Sequence, residues 1–166
     1  MEIKSIQSFL EYYQRIRERT NRIIQIIPHE KLDWTYKTNK FTIADIIRHI
    51  AGIERYMYAE NALGNPSSYK GCGKDIADGY EQVLNYFNTM HQESIAIFQS
   101  LSDSDLQRKC KTPAGIEITI WKWLRAMVEH EIHHRGQLYI YLNLLDIPTT
   151  PIFGLTAEEV ESKYLK

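Results

Sequence analysis

Three of the six histidines fall within five residues, in the run Glu129-His130-Glu131-Ile132-His133-His134-Arg135-Gly136-Gln137. A helix advances about 100° per residue, so His130 and His134 stand one turn apart on one face and their rings can converge on a single point. That is metal-ligand spacing. His133 and Gln137 occupy the adjoining part of the same stripe, whereas Glu131 points away from its centre. Two imidazoles rarely suffice, because zinc-type centres take three protein ligands and keep the fourth position open. Three neutral imidazoles would leave the ion's positive charge uncompensated, which lowers the pKa of a bound water to about 7 or favours a soft anion such as a thiolate.

The third ligand must come from another element, and His49 is the candidate. It lies beside the core stripe Ile43, Ile46, Ile50, Ile53 and Met57, with Ile53 and Tyr56 one and two turns along the same side. A lone histidine at such an edge is more often a packed core residue than a ligand; the later pair is what raises it. The same later run also spells H-E-x-x-H, a signature in which the glutamate, here Glu131, is a general base. Its longer form fails, since position 137 is Gln and no histidine follows His134. A carboxylate ligand for that reading would be Glu158 or Glu159, which serve more naturally as first-turn helix residues.

Four long amphipathic segments must carry these side chains. Ile3, Ile6, Phe9, Leu10, Tyr13, Ile16, Ile23 and Ile27 predict a helix from about Ile3 to Ile27, closed by Pro28, with charges on the other face. Thr42 and Asp45 form a variant capping box that opens a second helix reaching about Leu63. Residues 64–74 read as a loop. Gly71-Cys72-Gly73 is no nucleotide loop, because Ile76 stands where a third glycine is needed and no strand precedes it. A third helix is expected from about Asp75 to Leu101, with His91 facing solvent, and His29 reads as a surface residue. Pro113-Ala114-Gly115 between short alternating runs predicts a small hairpin or irregular crossover. The fourth helix, about Ile120 to Asp146, is apolar all round and so central. Pro148 and Pro151 block its continuation, and Thr156 with Glu159 caps a last short helix ending near Tyr164. The expected fold is all-α: a four-helix bundle with a short insertion before the last long helix, in one domain over residues 1–166.

Composition narrows the function classes. A net charge of −1, with both signs mixed along the chain, gives no electrostatic support for nucleic-acid or membrane-surface binding. Met1-Glu2-Ile3-Lys4-Ser5 lacks a signal-peptide pattern and no apolar run approaches the roughly 18 residues of a spanning helix, so a soluble, cytoplasmic protein is expected. Cys72 and Cys110 are isolated thiols without CxxC spacing, which fits a reducing compartment, and neither neighbourhood points to a nucleophile.

The run His130 to Leu138 closely resembles the last-helix motif of the DinB-like proteins, a superfamily that also contains bacterial low-molecular-weight-thiol transferases. Phe41-Thr42-Ile43-Ala44-Asp45-Ile46-Ile47-Arg48-His49-Ile50 resembles that family's second-helix motif, and the stretch Pro148 to Gly154 before a short helix is also similar. The resemblance spans nearly the whole chain. It implies a DinB/YfiT-like four-helix bundle, often a homodimer, with a divalent metal held by His49, His130 and His134. Zinc or nickel leads, with iron, copper or manganese as further options. The resemblance says less about the reaction: some members transfer bacillithiol- or mycothiol-type thiols to electrophiles or isomerise thiol adducts. The first expectation is a thiol transferase of that kind, with Tyr56, Arg135 and Gln137 as candidate substrate contacts or supports of the metal ligands; Arg135 reads alternatively as an anchor of the helix at an interface, and Gln137 as a group that only orients a ligand ring. Two alternatives stand beside this: a non-catalytic, stress-associated dimer with a structural metal or none, and a metal-dependent hydrolase using Glu131.

Overall fold

The computed structural model describes residues 2–164, so the outermost ends of the expected 1–166 span lie outside it. The predicted helices form, each somewhat shorter than its apolar pattern. Helix α1 (Ile6–Ile24) starts at Ser5, whose hydroxyl accepts the Ser8 N–H, and it buries Ile6, Phe9, Tyr13, Ile16, Ile23 and Ile24. Helix α2 (Ile43–Ile53) starts at Thr42 with the predicted capping box complete: Thr42 Oγ1 accepts from the Asp45 N–H at 3.0 Å, and an Asp45 carboxylate oxygen accepts from the Thr42 N–H at 2.9 Å.

The second helix departs from expectation beyond Ile53. Residues Glu54–Ala59 form a π turn before the short α3 (Glu60–Leu63), which ends at Gly64 with φ of 92°. A π turn takes one more residue per hydrogen-bonded ring than an α turn, so the side chains beyond it no longer follow the face predicted from Ile43 to Ile53. The third helix also starts later than predicted. Helix α4 spans Tyr80–Gln99, because Gly79 at φ 81° breaks the backbone ahead of it and leaves residues 75–78 outside. The expected hairpin is present: β1 (Lys109–Lys111) pairs antiparallel with β2 (Glu117–Thr119), with Cys110 opposite Ile118. Helix α5 (Ile120–Leu144) follows directly, and α6 (Ala157–Tyr164) closes the described chain behind the Thr156–Glu159 cap.

Helices α1 and α2 each pack against both α4 and α5. The described chain is thus mostly helical, with one two-stranded sheet at the end nearest the start of α5. Two apolar clusters fill it, one around Phe9, Tyr13, Phe98, Leu124 and Met127, the other around Ile23, Ile47, Val83, Phe87, Leu138 and Leu142. Between them lies a polar layer. Arg17 is only 2% exposed; it ion-pairs with Glu54 and with Glu131 at 3.1 Å, and its guanidinium stacks 4.2 Å from the Phe87 ring centroid. Tyr13 and Thr20 donate to the two Glu131 oxygens at 2.9 and 2.6 Å. Arg17 therefore reverses the expectation that α1 turns its charges outward, since buried charges persist where they are paired and hydrogen-bonded. His91 is corrected likewise: its Nδ1 lies 2.8 Å from Glu54 and its ring packs edge-on against Tyr13, instead of facing solvent.

Candidate metal centre

His49 leaves α2 on the side that faces α5. The Thr42 cap fixes the phase of α2, and the Tyr141 hydroxyl, donating to the Phe41 carbonyl at 3.1 Å, ties the start of α2 to α5 directly. From α5, His130 and His134 project one turn apart, as their spacing requires. The ring centroids of His49 lie 5.0 Å from His130 and 4.7 Å from His134, and those of His130 and His134 are 4.4 Å apart. His49 Nε2 and His130 Nε2 face each other at 3.1 Å, and one ligand nitrogen from each of the three residues lies within 4.8 Å of the others.

The outward nitrogens of His49 and His134 are engaged. His49 Nδ1 is 2.8 Å from the Tyr69 hydroxyl. His134 Nδ1 donates to Gln137 Oε1 at 2.7 Å, and the Gln137 amide reaches on to His133 Nε2 at 3.3 Å. Each of these contacts leaves the other ring nitrogen turned inward, the arrangement in which outer partners orient metal-binding imidazoles. Burial disfavours the protonated rings: it pushes His49 down to about 4, helped by the neighbouring His134, and His130 down to about 3, helped by His134, His49 and His133. Burial also lowers His134, against the opposing pull of Gln137. All three are neutral at neutral pH. His49 Nε2 and His130 Nε2, 3.1 Å apart, share one proton in a hydrogen bond, and with that proton moved to the Nδ1 of its ring each of the three offers an inward lone pair, so the donor set fits a divalent metal of the zinc type. Phe41 flanks His49 at 5.4 Å and Tyr58 flanks His130 at 6.0 Å between ring centroids. Burial, with Glu129 nearby, pushes the Tyr58 phenol up to about 12, so it stays protonated.

Of the predicted substrate contacts, Gln137 reaches the histidines. Tyr56 lines a separate cleft of about 330 Å³ with Ser68, Lys70, Gly71, Ile76 and Tyr86, because the π turn carries it off the face of His49. Arg135 is 4% exposed and donates to the Ile16 carbonyl at 3.3 Å; it is a strut between α5 and α1, with no surface left for a substrate. Glu131 likewise faces α1, with both oxygens held by Tyr13, Thr20 and Arg17, and so cannot serve as the base of an H-E-x-x-H site. Glu159 caps α6 through the Thr156 N–H at 2.7 Å. Burial pushes both cysteine thiols up, which fits the expectation of no thiol nucleophile. Sequence reading missed Tyr58 and Tyr69. The one trace of Tyr69 is Gly52, a glycine inside an apolar helical stripe, where a close approach is the usual reason.

The fold and the centre together define a helical protein with three imidazoles gathered between two of its long helices. Residues 12–138 match the profile of the DinB superfamily, and the chain belongs to it. It superposes on a DinB-like protein of Bacillus cereus with a TM-score of 0.74 at 16% identity, covering 89% of this chain and 97% of that one. On the DinB-like protein YjoA of Bacillus subtilis the TM-score is 0.70 at 19% identity, covering 87% and 95%. In sequence, the uncharacterized protein YjoA is 22% identical over 142 residues, 82% of this chain and 88% of YjoA. A protein of Oceanobacillus iheyensis, provisionally named a metal-dependent hydrolase, is 25% identical over 120 residues, 66% of this chain and 70% of that one.

Proposed function

We propose that the chain is a divalent-metal-dependent enzyme that transfers a small thiol of the bacillithiol type to electrophilic molecules, with His49, His130 and His134 as the metal ligands. The observation that carries this reading is the convergence of three neutral imidazoles with no carboxylate among them. Bound there, a divalent ion, zinc or nickel first and iron, copper or manganese after them, supplies Lewis acidity that favours a thiolate over a thiol. The chain's own residues hold the rings in place through Tyr69 and Gln137 and line the approach with Phe41 and the protonated phenol of Tyr58. The same reading takes residues 1–166 as one four-helix-bundle domain of the DinB/YfiT type, cytoplasmic and homodimeric. Ile140 and Leu144 on α5, each 58% exposed, supply apolar surface for a partner copy.

Metal analysis of protein purified without a histidine tag, followed by an assay with thiol and electrophile, tests the proposal. The expected result is turnover that requires the thiol, disappears with a chelator and returns with added metal. Metal-loaded protein with no thiol-dependent turnover sinks the transferase reading. A hydrolytic reading has one observation of its own, the name of the Oceanobacillus relative. It predicts activity without thiol, and since Glu131 is held in the α1 layer, activity that draws its base from another group.

A further inference from the structure

Tyr69 stands in the 64–79 connection, which has no regular structure, yet four separate contacts hold it in place. The Tyr56 carbonyl, within the π turn, accepts the Ser68 N–H at 2.9 Å and the Ser67 hydroxyl at 3.0 Å, so the residues just before Tyr69 are latched to that turn. Arg48, 1% exposed, donates to the Cys72 carbonyl at 2.7 Å and the Ala77 carbonyl at 2.8 Å, holding the chain just after it. The Tyr69 ring packs against Gly52: a Cβ there would meet Tyr69 Cε2 and the Tyr86 hydroxyl, each at 3.0 Å. Contacts of 3.0 Å are tighter than most Cβ atoms make, so a side chain at 52 would push the ring back by a few tenths of an ångström, and its absence lets Tyr69 sit where it does. The result is a hydroxyl 2.8 Å from His49 Nδ1.

Resting on the three-histidine metal reading above, we propose that Tyr69 is the positioning residue of the centre: its hydroxyl accepts the His49 Nδ1–H and thereby holds His49 Nε2 unprotonated and turned toward His130 and His134. An imidazole offered a metal through Nε2 must carry its proton on Nδ1, and a buried Nδ1–H needs an acceptor. Gln137 gives His134 the same service from within α5. Tyr69 gives it to His49 from a loop, and the π turn, Arg48 and Gly52 are the parts that deliver it.

The test uses the intact metal-free protein and Co²⁺ alone as probe, comparing the wild type with Tyr69→Phe, and with Gly52→Ala, which keeps the hydroxyl but displaces the ring. Long-range nitrogen–proton NMR at pH 7.5 reads the His49 tautomer without any metal, a signal that a merely structural role for Tyr69 would not move. The expected wild-type state is the Nδ1–H form, with Tyr69→Phe shifting His49 to a mixture of both forms. Competition titration should show Co²⁺ bound about 10–100-fold more weakly by Tyr69→Phe, with a changed visible absorption band, and Gly52→Ala shifting in the same direction. An Nε2–H tautomer in the wild type, or Tyr69→Phe matching the wild type in tautomer and in affinity, overturns the proposal. Should the wild type show the Nδ1–H form yet bind no Co²⁺, it is the metal reading that fails, and the role of Tyr69 toward a metal goes with it.

Discussion

The imidazoles at the centre make a clear statement about acid. In the unfolded chain each titrates near 6.5, whereas in the folded chain His49 stays neutral down to about 4 and His130 down to about 3. Between those values the unfolded state binds more protons than the native one, so stability rises with pH through this window and is fully present above about 6.5. Urea midpoints of metal-free protein should therefore fall as the pH drops from about 6.5 toward 4, more steeply than in a variant with His49, His130 and His134 all replaced by Asn. Equal slopes in the two proteins would contradict the burial argument. His130 and His134 were legible from sequence because ligand spacing and helical period coincide. The inward turn of Glu131 onto Tyr13, Thr20 and Arg17 was legible only in part, as a direction away from the histidine stripe. Its ionic partners were not, since a charged residue in an amphipathic pattern reads as solvated until a facing partner is known.

Among the elements, the connection between α3 and α4 matters more to the centre than its composition announced. Gly, Pro, Ser and Asn marked residues 64–74 as a loop, correctly, but the contacts that order it lie at long sequence separation: Arg48 to residues 72 and 77, and the Tyr56 carbonyl to residues 67 and 68. The π turn escaped sequence reading because no residue type marks it: the apolar stripe from Ile43 to Ile53 runs straight into it, and the change of phase shows only in where the side chains beyond Ile53 point. Lysine at 48 would keep a positive charge but could not span Asp45 and two backbone carbonyls at once, because an ammonium is a point donor and a guanidinium a planar fork. Arg48→Lys should loosen the 64–79 segment by about 1.5–3 kcal/mol for each charged hydrogen bond lost. Hydrogen exchange read peptide by peptide should show faster exchange there, with α1 and α5 unchanged; a uniform increase over all helices would mean that Arg48 supports the whole fold instead. The hairpin before α5 and the cap of α6 were both readable, since each depends on residues within a few positions of one another.

At the scale of the molecule, two apolar clusters fill the helical core, so the fold is expected to form on its own packing with the centre added to it. Metal should then stabilise by mass action: at an ion concentration 100 times the Kd, by about 2.7 kcal/mol. Differential scanning calorimetry should show an unfolding transition that is cooperative with chelator present and moves upward with added Zn²⁺. Loss of all cooperative unfolding on chelation would instead make the ion part of the fold itself. Among the described residues no helix is long and apolar enough to cross a membrane. Helix α5 carries His130 and Glu131 as neighbours that point to different sides, one to the triad and the other to the layer built by Tyr13, Thr20 and Arg17. Anyone transplanting the triad into a minimal two-helix peptide would open that face to water, leaving the glutamate solvated and the apolar side chains beside it uncovered. A working graft must bring the α1 face with it, or replace those apolar neighbours with polar residues.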